Sequence, residues 1–280
     1  MAEAPPPTSI STTSPAWSAG VLEVVTPLVE RRLAAKGQGR IEADHPLLPL
    51  GLDALGRASG DPRYSTAAAQ AEVPGAEALP IAMPLICAGS DCRTDDLLRG
   101  SDLWVGPWAG EAGRAKVASL DPAFRRLALT LFDREALLFH ANEDAIGERH
   151  FDATINATAF AALTRMVDAL PDEDLARLEY VALYREMART VTRTQGPDGL
   201  WHARLDDGST PADMGASALF VFGLTWGLNT GMLSFNEGES AALNGWDALQ
   251  TSARFAAFEN DDAALGALLL ASAQMAERRW

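Results

Sequence analysis

The sequence predicts an all-α chain whose helix pairs close into a toroid of two concentric rings, and three observations predict it. Strictly alternating runs of β-branched residues are missing, whereas Ala- and Leu-rich stretches at helical spacing fill most of the chain. The helices alternate between two kinds, one apolar on nearly every side and one with a single apolar face. The pairs recur at roughly 50–60 residues, longer than the ~35–45 of open solenoids, which favours a closed ring.

The elements follow in order. Residues 1–16 are rich in Pro, Ser and Thr and read as a disordered tail, and residues 17–280 as a single barrel domain. An amphipathic helix over 19–35 leads into an apolar one over 46–58. Gly60-Asp61-Pro62-Arg63-Tyr64 then marks a helix start, because Asp caps free N–H groups and Pro fits the first turn. Residues 75–98 carry no clear assignment. An apolar helix over 102–113 is followed by the joint Ser119-Leu120-Asp121-Pro122 and an amphipathic helix over 122–131. The third pair is an apolar helix over 153–169, the joint Pro171-Asp172-Glu173-Asp174, and a helix over 175–194. In that last helix Leu175, Leu178, Val181, Tyr184, Met187 and Val191 step by three or four. A fourth pair spans 212–228 and 237–251, joined at Ser234-Phe235-Asn236-Glu237, and an apolar helix over 263–275 ends the series.

Composition excludes several function classes. The 280 residues carry 38 acidic and 23 basic side chains, a formal charge of −15. Phosphate binding is driven by Lys and Arg, so a nucleic-acid partner is not expected. Cys87 and Cys92 are two thiols with no His placed to complete a zinc set, and neither a disulfide scaffold nor a metal site is expected. No stretch approaches the ~20 apolar residues of a membrane span. The start of the chain has neither the basic residues nor the apolar core of a secretory signal, so the expected location is the cytoplasm.

The loops hold the candidate chemistry. Gln195-Gly196-Pro197-Asp198-Gly199-Leu200-Trp201-His202 returns the chain from an amphipathic helix to an apolar one. In a toroid such returns share one rim around the central cavity. Trp201 offers a flat face of the kind that stacks on sugars, and His202 a hydrogen-bonding ring.

The run from Gln195 to Asp206 resembles the corresponding loop of the unsaturated glucuronyl and rhamnogalacturonyl hydrolases (glycoside hydrolase families 88 and 105). Asp213-Met214-Gly215-Ala216-Ser217-Ala218-Leu219-Phe220 is similar to that family's acidic-Thr-Ser-Gly-Ser-Ala-Met-Phe motif. Glu259-Asn260-Asp261-Asp262, with Gly266-Ala267-Leu268-Leu269-Leu270-Ala271 and Met275, is similar to its final inner helix. The resemblance covers residues 132–280 well and 41–131 more loosely. It implies a six-hairpin (α/α) barrel, here with most of the first hairpin missing.

The resemblance also implies a reaction. The family's substrate is an oligosaccharide left by a polysaccharide lyase, with a C4=C5 double bond in its terminal uronic acid. An Asp protonates C4 and activates water for attack at C5, and no metal or organic cofactor is used. The catalytic Asp corresponds best to Asp102 in Asp102-Leu103-Trp104-Val105, although Ser101 stands in strict register; Asp95-Asp96 is the other candidate. The second active-site Asp corresponds to Asp44, which as a residue before Pro46 at a helix start also reads as a cap. Trp104, His140, Asn156, Trp201 and His202 are the implied substrate contacts. Around Asn156 the chain departs from the family, having Asp152, Thr154, Ala157 and Thr158 where a Trp–Arg pair and Asn-Gly-Trp stand. The alternative to a hydrolase is a ring that has lost catalysis and serves as a carbohydrate-binding or structural protein.

Overall fold

The computed structural model describes residues 15–34, 43–72, 109–140, 149–251 and 255–280. Asp95, Asp96, Ser101, Asp102, Trp104 and both cysteines lie outside the described residues, as does almost all of the expected tail.

Helix α1 (Pro15–Ala34) buries Val21, Val25, Leu28 and Val29, a single stripe at helical spacing. Helix α2 (Leu47–Ser59) stops at Gly60, whose φ of 70° is the left-handed conformation that favours glycine. Asp61 then accepts the Arg63 N–H and Pro62 opens α3 (Pro62–Gln70), as the sequence predicts. Helix α4 (Gly110–Leu131) runs into a short hairpin of β1 (Phe132–Asp133) and β2 (Leu138–Phe139). Helix α5 (Ala153–Ala169) is buried along nearly its whole length, and α6 (Leu175–Arg193), capped by Asp174, returns on its outside. A second hairpin, β3 (His202–Arg204) with β4 (Asp207–Ala212), precedes α7 (Met214–Asn229) and α8 (Phe235–Leu249). The last helix, α9, spans Asp262–Ala276.

The two kinds of helix occupy two layers. Helices α2, α9, α7 and α5 pack side by side in that order, and α3, α1, α8 and α6 cover them from outside. The chain's first and last helices therefore meet. Trp17 Nε1 donates to Met275 O at 2.8 Å and Ser18 Oγ to Ala276 O at 2.6 Å, which fastens α1 along α9. The inner layer is tight because glycines stand where helices cross. A Cβ on Gly223 would lie 2.6 Å from the Phe160 ring, which stacks on Tyr184 at 4.7 Å between centroids. Among the described residues no helix is long and apolar enough to cross a membrane.

One joint is corrected. The helix start expected at Asp121-Pro122 does not exist, and Gly113, the expected end of an inner helix, lies in the first turn of α4. Asp121 is not free to cap, since its carboxylate accepts from Arg125 Nε at 2.7 Å and from the Tyr180 hydroxyl. Pro122 is carried inside a continuous helix that forgoes one backbone bond there.

Candidate functional site

The described inner helices α2, α5, α7 and α9 begin on the same side, and their starts enclose a cavity of about 530 Å³. It is lined by His45 and Leu47 at the start of α2, Asp152, Thr154, Ile155 and Thr158 at α5, Asp213, Gly215, Ala216 and Leu219 at α7, and Asp261, Ala263, Ala264 and Ala267 at α9. The carboxylates are there because of how the helices start. Asp152, Asp213 and Asp261 are the N-caps of α5, α7 and α9, accepting the N–H groups of Ile155, Ala216 and Ala264 at 2.8–2.9 Å. A carboxylate is also favoured there by the positive end of the helix dipole.

One oxygen of each caps its helix. Asp213 Oδ2 accepts the Thr154 hydroxyl at 2.8 Å, which ties the starts of α5 and α7 together. His45 faces the carboxylates from α2. Its Nδ1 accepts the Leu47 N–H at 3.2 Å. Burial holds its pKa below the ordinary 6.5, opposed by the charges of Asp261 and Asp262. The remaining wall is aliphatic, from Leu47, Ile155, Ala216, Leu219, Ala263, Ala264 and Ala267, and suits the apolar face of a sugar ring. The arrangement offers carboxyl groups for proton transfer and an imidazole that burial favours as neutral, beside an aliphatic surface.

None of the described site residues expected from sequence lies on this wall. Trp201 is fully buried between α6 and α7, with Nε1 donating to Val191 O at 2.7 Å and its ring against Phe220. His202 faces its own hairpin and loop, its Nδ1 against Thr210 O and its Nε2 3.4 Å from Asp198. Asn156 is fully buried and saturated: it accepts the Phe139 N–H and donates to the carbonyls of Phe139 and Asp152. His140 is buried at the end of β2, outside the cavity lining. The expectation that Trp201, His202 and His140 share one cavity is therefore corrected. Asp44 is exposed and does not line the cavity, and its backbone N–H donates to Asp262 Oδ2. Among the described residues no group of three or more His, Cys, Asp or Glu could hold a metal ion.

A family model described as Glycosyl Hydrolase Family 88 matches residues 122–273, more than half of the chain. The chain belongs to glycosyl hydrolase family 88. An unsaturated 3S-rhamnoglycuronyl hydrolase from Alteromonas sp. (strain LOR) is 32% identical over 122 residues, 42% of this chain and 29% of that protein. A protein of the same description from Formosa agariphila is 31% identical over 96 residues, 34% of this chain and 26% of that one. The matched segments thus span less than a third of these curated relatives. Among solved structures, a family 88 glycosyl hydrolase from Bacteroides vulgatus superposes with a TM-score of 0.68 at 17% identity, over 92% of this chain and 99% of that one. A family 105 glycoside hydrolase from C. acetobutylicum gives 0.63 at 14%, over 91% and 98%. These likenesses establish the (α/α) toroid.

Membership of family 88 does not favour the reading of a ring kept only for binding or structure. The cavity also brings together residues that sequence reasoning passed over as site candidates, namely Asp152, Asp213 and Asp261. The signal was present, since each is an Asp immediately before an apolar helix. In a two-ring toroid, every such cap must face the same mouth.

Proposed function

We propose that this family 88 chain removes the terminal unsaturated uronic acid from oligosaccharides produced by polysaccharide lyases, by hydrating its C4=C5 bond. The observation that carries the reading is the cavity at the inner-helix starts, with its three cap aspartates and aliphatic wall, in a chain of this family. The curated relatives described as unsaturated 3S-rhamnoglycuronyl hydrolases support the same substrate class.

In this reading Asp102 donates a proton to C4 and, as the carboxylate, takes one from the water that attacks C5. The hydrated ring is then a hemiketal, which opens and releases the aglycone. Hydrogen, oxygen and charge balance with one water consumed. Asp44 remains the partner suggested by the sequence. No cofactor enters the step.

The test follows the ultraviolet absorbance of the C4=C5 chromophore with Asp102→Asn, Asp44→Asn, Asp95→Asn and Asp96→Asn. Asp102→Asn is expected to slow its loss by at least the ~10²-fold typical of a removed general acid. Full activity in Asp102→Asn with loss in Asp95→Asn or Asp96→Asn would move the proton donor to the tandem acids.

A further inference from the structure

His45 is held more firmly than a turn residue needs to be. Ahead of it, Ala43 N–H donates to Glu72 O and Asp44 N–H to Asp262 Oδ2, both at 2.8 Å. Asp262 is itself gripped by Arg32, whose Nε and Nη2 donate to its two oxygens at 2.8 Å. The pair is buried, with side chains 11% and 5% exposed. A guanidinium from the outer layer thus fixes, through one carboxylate, the backbone that carries His45 into the cavity.

The ring's orientation follows. An imidazole that accepts a backbone N–H at Nδ1 and is kept neutral by burial carries its proton on Nε2. The other polar side chains on the described wall are the three carboxylates, which accept, and Thr154, whose hydroxyl hydrogen is given to Asp213, and Thr158. His45 is the one ring donor on that wall.

We propose that His45 contacts the substrate, donating Nε2–H to a saccharide oxygen in the cavity, with Arg32 and Asp262 as its positioning residues. The substrate class rests on the hydrolase reading above; the role of His45 is additional to it.

The test labels the imidazoles of the full chain with ¹⁵N, assigns His45 among the four histidines by His45→Gln, and titrates in an unsaturated disaccharide made by a polysaccharide lyase. The expected result is a neutral Nε2–H tautomer whose Nε2 resonance moves on binding. His45→Leu should raise KM about tenfold, the loss of one hydrogen bond. His45→Asn, whose side-chain oxygen can still accept the Leu47 N–H, keeps the helix start and should raise KM likewise. Arg32→Met should leave a mixture of tautomers and a raised KM. Disaccharide binding with an unmoved Nε2 resonance, and an unchanged KM in His45→Asn, would overturn the proposal and leave His45 a helix cap. Failure of every lyase product to bind would instead overturn the hydrolase reading, and the contact with it.

Discussion

Gly51 and Gly266 meet across the crossing of α2 and α9 with no side chain between them. A Cβ on Gly51 would lie 2.5 Å from Gly266 O, and one on Gly266 would lie 2.5 Å from Leu48 N. The two helices therefore touch backbone to backbone, which sets the start of α2, with His45, beside the start of α9, with Asp261. Ala normally gains about 1 kcal/mol over Gly inside a helix. Here the overlap reverses the sign, and Gly266→Ala is expected to destabilise by about 1–3 kcal/mol in urea unfolding. Gly20, on α1 with nothing within 4 Å of its Cβ position, is the control: Gly20→Ala should stabilise by about 0.5–1 kcal/mol.

The buried Arg32–Asp262 pair gives a second prediction. Asp262→Ala removes the carboxylate that takes both Arg32 donors, on a side chain 11% exposed, and the acceptor for Asp44 N–H. A loss of about 3–5 kcal/mol is expected. Arg32→Met with Asp262→Leu should lose less than Asp262→Ala alone, because neither buried charge then remains to be desolvated. Equal losses would show that the pair's geometry, rather than its charge, holds the turn.

His45 makes stability depend on pH with a definite sign. Its folded pKa is held below the ordinary 6.5, so the unfolded chain binds more protons as pH falls through that range. The contribution is full above about 6.5 and is lost as pH drops through the lower folded value. Asp261 and Asp262 oppose the shift, Asp44 precedes it in the chain, and Asp152 and Asp213 face it across the cavity. Thermal midpoints of wild type and His45→Gln should converge as pH is lowered below 6.5. A constant difference would contradict the assignment.

Trp201 separates a sugar platform from a core residue. With its ring fully buried and Nε1 bonded to Val191 O, Trp201→Ala is expected to cost about 3–5 kcal/mol. A folded variant with unchanged stability and weakened saccharide binding would restore the sequence-based reading.

Four of the inner helices, those near 46–58, 153–169, 212–228 and 263–275, were legible because a segment such as 153–169 is apolar on nearly every side, and its bounds follow from Asp152 before it and Leu170 after it. The joint at Pro122 was misread because Asp-Pro specifies a helix start only when the Asp is free to cap. Tyr180, 59 residues away, takes it. The site was harder still. Trp201 and Asn156 carry groups that suit a ligand, but what each one meets is decided by Val191, Phe139 and Asp152 packing around it. Conversely, Asp152, Asp213 and Asp261 read locally as caps, and only the ring brings the three to one cavity.

The central claim is that unsaturated uronides are hydrated in this cavity. Gly215 lies on its wall with ordinary room around a Cβ, 3.6 Å from the nearest atom, so a larger side chain there fills the cavity without breaking α7. The direct measurement is the rate of C4=C5 absorbance loss across a panel of lyase-generated oligosaccharides, for wild type and Gly215→Leu. The account predicts loss by the wild type on at least one member and a fall of at least ~10²-fold in the filled variant, with its thermal midpoint retained. Persistent absorbance with folded wild type across the panel, or full activity with the cavity filled, would contradict it.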